Sequence, residues 1–552
     1  MKTPNMSSLM LAFLACFPSA SLAFTTPVAP AFSRQSPLLR VATTTASSNS
    51  VTSGDNIVNE ISLDNPLRVI IAGAGVGGLS LASSLRDVPH VHCTVLERTE
   101  EFRRFGGPIQ IASNAMEVLK VMDRDVFDDV LEKFTYTGDK ENGIKDGIRN
   151  DWYAKFDLGG PAKARGMTYT GVIDRPDLQQ IMLDSIRSQD PDGVRNGNAV
   201  VDYRTQQDGS VAVSLEDGSV LEGDVLLGAD GIWSAIRAKM RNEPMKGEGS
   251  GASYSGYTVF AGELAYDSFD AGAVGYKVYI GPGQYFVITD IGNGNYQWYA
   301  FLARPPDSAK TVEKPEGSSL YLQGIFEGWS EDIHHILRAT KEDEIAQRDL
   351  YDRPPSVLKP WTDGNVALMG DAVHAMMPNL GQGGCQAIED AYVLREELMN
   401  LKSRSDVAFG LEQYRKRRLI RSAAVQGLSR FASDIIIRGF DTPVKIVTKP
   451  EFRIENFNYA GIVTRMLQPI LPIFFSVQFN FLYDGWKNEA AVDLNAAVGF
   501  LFVGGFILLL GGGTLGEAGI LGGLGADALF SGETIGGLEG LDELFAQFTN
   551  FL

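Results

Sequence analysis

Thiols are few in this chain. Its 552 residues include three cysteines, Cys16, Cys93 and Cys385, with no pair at metal-ligand spacing. A disulfide framework is excluded, no metal centre is expected, and with Cys16 in a leader-like segment the two remaining thiols suit a reducing compartment. Positive charge is short as well. The formal net charge is −19, and the densest basic cluster is Arg415 to Arg418. That cluster reads as the solvated face of a helix, so no nucleic acid partner is expected. Acidic residues are missing from the first 54 positions. Residues 7–17 form an apolar core too short to cross a bilayer, residues 19–23 are small, and 24–52 are rich in Ser, Thr, Ala and Pro. The expectation is a signal peptide over 1–23 followed by a transit peptide and linker over 24–66. What remains is globular, with 44% hydrophobic and 10% aromatic residues, enough for two or three domains.

The first of these begins with a strand, a glycine turn and a helix. Residues 67–72 are apolar and run into Gly73-Ala74-Gly75-Val76-Gly77-Gly78, then a helical pattern over 79–85 and a second strand over 92–96 that ends at Glu97. In such a βαβ unit the first glycine makes the tight turn, the second admits a pyrophosphate to the helix N-terminus, and the third lets helix and strand pack. A carboxylate about twenty residues on suits an adenosine ribose and repels a 2′-phosphate, which favours FAD or NAD over NADP here. A strand at 224–227 leads to Gly228-Ala229-Asp230-Gly231, where Asp230 reads as a helix N-cap or a ligand contact. A third strand, turn and helix fills 366–390, with Asp371 at the turn and Gly381, Gly383 and Gly384 before a helix starting near Cys385. His374, beside that turn, reads as structural.

Between the second and third junctions the texture changes. Aromatic strands over 276–280, 284–290 and 296–303 alternate in period two and are separated by glycine turns, which predicts an antiparallel sheet. Tyr279, Phe286, Trp298, Tyr299 and Phe301 exceed the needs of one buried face, so one face is expected to line an apolar slot. After a long helix expected over about 406–437 come two uncharged runs. Residues 466–483 carry Pro469 and Pro472, which argue against a straight span, while 494–516 reads as membrane-associated or as a buried terminal helix.

GAGVGG at Gly73, GADG at Gly228 and GDAVHAMMPNLGQGG at Gly370 together resemble the single-component FAD monooxygenases of the aromatic-hydroxylase type. Longer phrases, among them GPIQIASNA, GVIDRPDLQQI, LLGADGIWSAIR and MPNLGQGGCQAIEDA, resemble the zeaxanthin epoxidase family of the xanthophyll cycle over about 67–431. The pattern SLAF at Ser21 to Phe24 resembles the two-part presequences of diatoms and related algae. Plant members of the family carry a C-terminal forkhead-associated domain, and nothing after Phe440 resembles it.

The resemblance implies an α/β fold. A Rossmann-like FAD-binding domain of glutathione-reductase type, 67–245 and 346–440, is interleaved with an antiparallel β-sheet substrate domain, 246–345. A helical C-terminal extension comes last, 441–552, apolar and membrane-associated. The resemblance also implies FAD, with Gly73, Gly75 and Gly78 at its pyrophosphate, Glu97 at the adenosine ribose and Arg175 at the linking chain. Asp371 would meet the ribityl or ribose-side hydroxyls, and Pro378, Gly381, Gly383 and Gly384 would border the isoalloxazine ring. Asp230 is associated in that family with FAD and with the reducing nicotinamide. NADPH and O2 are the implied co-substrates. Zeaxanthin is the implied carotenoid substrate with diatoxanthin as a second, the stromal face of the plastid's thylakoid membrane is the implied location, and ferredoxin is an alternative electron source. The chemistry is centred on the flavin, so no catalytic side chain is expected. The competing readings are an FAD-dependent aromatic ring hydroxylase and a non-catalytic pigment-binding flavoprotein.

Overall fold

The computed structural model describes residues 59–102, 107–266, 272–281, 283–441, 478–483 and 485–486, with the backbone alone for 431–441. The presequence, residues 103–106 and the run 494–516 lie outside the described residues. Among the described residues no helix is long and apolar enough to cross a membrane.

Two sheets carry the molecule. The first has six strands in the order Thr362–Asp363, Val366–Leu368, Val225–Gly228, Leu67–Ala72, Val91–Leu96 and Val194–Arg195. All neighbours are parallel except the short edge strand Thr362–Asp363. Its inner strands read as continuous apolar runs because helices cover both faces, and Leu67, Ile71, Val225, Leu227, Val366 and Leu368 are fully buried. The helices Val76–Leu85, Gly383–Asn400 and Val407–Asp441 belong to this layer.

The second sheet has seven strands, ordered Ala346–Asp352, Ser253–Ala265, Asn295–Ala303, Gln284–Gly292, Val274–Gly281, Glu141–Asp146 and Trp152–Lys155. It is antiparallel except where Val274–Gly281 runs parallel to Glu141–Asp146. Three of its strands therefore come from outside 246–345: the hairpin Glu141–Asp146 and Trp152–Lys155, and the edge strand Ala346–Asp352.

The period of two sorts its aromatics between faces. Tyr279, Phe286 and Trp298 pack under the helices Ser318–Ile325 and Glu331–Ala339. Their polar tips are satisfied: the Tyr279 hydroxyl donates to Asp332 at 2.7 Å and the Trp298 indole to Thr340 at 2.9 Å. Tyr257, Val259, Val278, Tyr285, Val287 and Phe301 occupy the other face, and that face looks into a cavity.

Candidate functional site

Register brings the three sequence junctions together. Ala72 pairs with both Leu96 and Gly228, and Gly228 pairs with Leu368. Four parallel strands thus end on one line and run on into Gly73, Glu97, Ala229-Asp230 and Met369-Gly370-Asp371. Ligands of open parallel sheets bind outside such carboxyl ends.

The glycine turn fits a pyrophosphate for reasons the backbone makes explicit. Gly73 has φ of +111°, a conformation that side chains resist, and a Cβ there would run into the carbonyl of Ala229. A Cβ on Gly78 would collide with the carbonyl oxygen of Gly73, so the helix Val76–Leu85 sits directly on the turn. Gly75 is different. Its backbone is extended, it caps the helix without a side-chain bond, and a Cβ would meet nothing within 4 Å. That open space, facing unpaired helix N–H groups, is the cradle a diphosphate would fill. Beside it Glu97 accepts from the backbone N–H of Ala74 at 2.8 Å and of Thr99 at 2.9 Å, so its carboxylate is fixed at the cradle's edge.

The cavity beyond the cradle has a volume of about 560 Å³. Gly75, Arg175, Asp371, Pro378, Gly381, Gly383 and Gly384 all line it. A Cβ on Gly381 would enter the side chain of Gln110 and one on Gly384 would meet Ile109, whereas one on Gly383 would make only ordinary contacts with Met376 and Asp371. The loop 378–384 is thus a backbone surface suited to a flat ring. Arg175 opens the helix Arg175–Arg187, and its Nε donates to the carbonyl of Gly107 at 3.0 Å. Asp371 is open to the cavity while crowded by protein; desolvation raises its carboxyl above the ordinary value, and His374 and Arg175 draw it back. Asp230 is set slightly apart. One of its carboxylate oxygens accepts from Ala235 N at 2.8 Å, at the start of the helix Ala235–Arg241, and burial raises its carboxyl. Its other oxygen has no hydrogen-bond partner among the described residues. Asp230 thus holds a helix start with one oxygen, and its neighbours Ala229 and Gly231, rather than Asp230 itself, line the cavity.

Behind the loop lies a network of buried charge. Asp390 accepts from Gly370 N at 2.8 Å, from His374 Nε2 at 2.6 Å and from Arg418 Nε at 2.7 Å. Glu389 accepts from Arg418 Nη1 at 2.6 Å and from Arg421 Nε at 2.7 Å. His374 is therefore a strut of the turn that carries Asp371. The network corrects the reading of the basic cluster: Arg415 and Arg417 pair with Glu412, Glu396 and Glu397 on the helix surfaces, but Arg418 is 2% exposed. Its spacing of four from Tyr414 and three from Arg421 places it on the buried stripe of Val407–Asp441.

Three cavity residues carried no sequence signal. Gln297 is buried with an Oε1 that lacks a partner among the described residues, Arg348 lines the wall beside Tyr299, and Phe479 reaches in from far along the chain. Cys385, at the start of the helix after the loop, is 1% exposed, and burial pushes its thiol up to about 12. It should resist iodoacetamide at pH 8 in the folded protein and react once guanidinium unfolds it. Peptide mass spectrometry reads the difference, and rapid native alkylation would contradict this placement.

A glycine cradle and two acidic turns on one parallel-sheet edge, opposite an aromatic-walled cavity, define a dinucleotide-binding fold joined to a second, largely antiparallel sheet. Residues 66–429 match the FAD binding domain family, and the chain belongs to that family. It is 42% identical to the chloroplastic zeaxanthin epoxidase of Spinacia oleracea over 390 residues, 68% of this chain and 55% of that protein. With the Capsicum annuum zeaxanthin epoxidase the identity is 40% over 415 residues, 72% of this chain and 60% of that one. The chain thus spans little more than half the length of these curated relatives. Among solved structures it is similar to HpxO of Klebsiella pneumoniae complexed with FAD and uric acid, with 23% identity and a TM-score of 0.62. That likeness covers 76% of this chain and 96% of HpxO. A salicylate hydroxylase substrate complex has 21% identity and a TM-score of 0.58, covering 78% of this chain and all of that one. Both share the fold.

Proposed function

We propose that this chain is an FAD-dependent monooxygenase that epoxidises the β-ring double bond of zeaxanthin, giving violaxanthin through antheraxanthin, and accepts diatoxanthin as a second substrate. NADPH and O2 are its co-substrates, with ferredoxin as an alternative electron donor. It works in the plastid, on the stromal face of the thylakoid membrane. The observation that carries the reading is a glycine cradle opening into a cavity whose walls are mostly aliphatic and aromatic. The identity with chloroplastic zeaxanthin epoxidases supports the same choice.

Bound FAD would supply the activation of O2 and the electrophilic oxygen. Gly73, Gly75 and Gly78 would hold its diphosphate, Glu97 its ribose, Arg175 and Asp371 the chain between, and Pro378 to Gly384 the ring's edge. The helix Gly383–Asn400 begins at the cavity wall, so its N-terminal dipole would favour the anionic reduced form of a ring bound there. The cavity's task is then to exclude water and seat an alkene. No base is needed for that, and the lining offers none: burial raises the phenols of Tyr276, Tyr285 and Tyr299, which keep their protons. Among the described residues that line it no histidine occurs, and the one carboxylate is that of Asp371. An aromatic hydroxylase would want a group to ionise its phenol, and this wall argues against it.

Expression of the chain in bacteria that accumulate zeaxanthin tests the reading. Antheraxanthin and violaxanthin should appear in the extracted pigments. Zeaxanthin left intact in cells containing FAD-loaded protein would reject it.

A further inference from the structure

The family match ends at residue 429, yet the cavity does not. Gln478 and Phe479 line it. They belong to a short helical stretch, 478–483, whose Phe479, Phe481, Leu482 and Tyr483 are each at most 9% exposed. In sequence this stretch ends an uncharged run; in the structure the lack of charge serves packing against Leu158, Ala162 and Val425.

The stretch is bolted to the body by polar bonds from several sides. Arg421 donates to the carbonyls of Phe481 at 3.1 Å and Leu482 at 2.8 Å. A side chain on Gly485 would block that guanidinium. The Tyr483 hydroxyl donates to the carbonyl of Leu158 and lies 3.3 Å from the Thr170 hydroxyl, while Arg165 donates to Asn480 at 3.1 Å. Arg421 is also the partner of Glu389. Through Arg418 and Glu389 the charges that hold the turn of Asp371 are thus linked to this stretch, and the loop 378–384 and residues 478–483 share one hydrogen-bonded frame.

Within that frame the ring of Phe479 lies 6.3 Å from Phe156, and Phe156 lies 6.3 Å from Tyr276. Met376, next to the flavin loop, packs on the same cluster. The result is a continuous aromatic and thioether surface facing the cavity, suited to a hydrocarbon ring and its methyl groups.

We infer that Gln478 and Phe479, held in place by the stretch 478–483, are part of the wall of the catalytic cavity and that Phe479 is a specificity-determining residue that packs against the substrate's hydrocarbon ring. The inference rests on the epoxidase reading for its substrate but not for the wall itself. The test uses the FAD-loaded full chain as wild type, Phe479→Ala and Phe479→Leu. Flavin content and the thermal midpoint report the fold, acrylamide quenching of flavin fluorescence reports the wall, and the shift of the polyene absorption band reports zeaxanthin binding from micelles. Phe479→Ala should keep its FAD, bind zeaxanthin about tenfold more weakly and admit acrylamide more readily. Phe479→Leu should stay near wild type. Unchanged binding and quenching in Phe479→Ala would overturn the inference, as would loss of FAD from both variants. A wild type that binds zeaxanthin without forming epoxide would sink the epoxidase reading alone, and the quenching result would still decide the wall.

Discussion

Replacing Gly75 by valine should empty the protein of FAD and leave its fold intact. Most changes in a glycine fingerprint confuse these two effects, because the glycines are tight against backbone. Gly75 is not. Its φ of −76° and ψ of 178° suit any residue, and its missing side chain points into open space, so the apo protein should lose no more than the roughly 0.5 kcal/mol typical of a surface substitution. The isopropyl group would occupy the place where the diphosphate meets the helix N-terminus. Affinity for FAD should fall at least about a hundredfold, which costs about 2.8 kcal/mol of binding. Gly78→Ala is the contrasting change, since its Cβ would strike the Gly73 carbonyl and the apo fold itself should weaken. Flavin absorbance per mole of purified protein, with urea midpoints of the apo forms, separates the two. Stoichiometric FAD in Gly75→Val would show that the cradle is misassigned.

Arg418→Met should cost the fold about 3–5 kcal/mol at pH 7, as expected when one partner of a buried ion network is removed. That is a large share of the roughly 5–15 kcal/mol that holds a domain together. The arginine serves Asp390, Glu389 and Gln386 at once. Burial alone would raise Glu389, but Arg421 and Arg418 outweigh it and bring its carboxyl down to about 2. Asp390 is carried down to about 2 against the same burial by His374 and Arg418. Both carboxyls are depressed in the folded state relative to about 4 in the unfolded chain. The stability they confer is therefore complete above about pH 5 and is lost as the pH falls toward 2. Without Arg418 that depression shrinks, and the carboxyls accept protons more readily. The gap between wild type and variant should be widest at neutral pH and should narrow by about pH 3, below the unfolded carboxyl value and above the folded one. Urea denaturation at the two pH values measures it, and an equal gap at both would show that the network is not the cause.

How far these features could be read from residues alone depends on the distance over which each is specified. The turn at Gly73 is local, written into six consecutive residues, and its strand and helix have the expected spacing. The meeting of Asp230 and Asp371 at one sheet edge was legible from repeated strand, turn and helix patterns, although only parallel pairing of Gly228 with Ala72 and Leu368 aligns them. The aromatic strands announced a sheet through their alternation, and Phe301 and Tyr299 do face the cavity. The strand Glu141–Asp146 gave no such sign. Its sequence ENGIKD has little apolar content, and it becomes a strand by pairing in parallel with Val274–Gly281. Arg418 was hidden by its charged neighbours, since four basic residues in a row obscure the helical period that turns one of them inward. The wall at Phe479 was hidden because an uncharged run has the same composition whether it meets lipid or a protein core.

Purified, FAD-loaded protein supplied with NADPH, isotopically labelled O2 and zeaxanthin in lipid vesicles gives the most direct test of the proposed activity. Chromatography and mass spectrometry of the pigments should show the mono-epoxide and then the di-epoxide, each carrying oxygen from O2. No epoxide, together with NADPH oxidation stimulated by a small phenol such as salicylate, would contradict it.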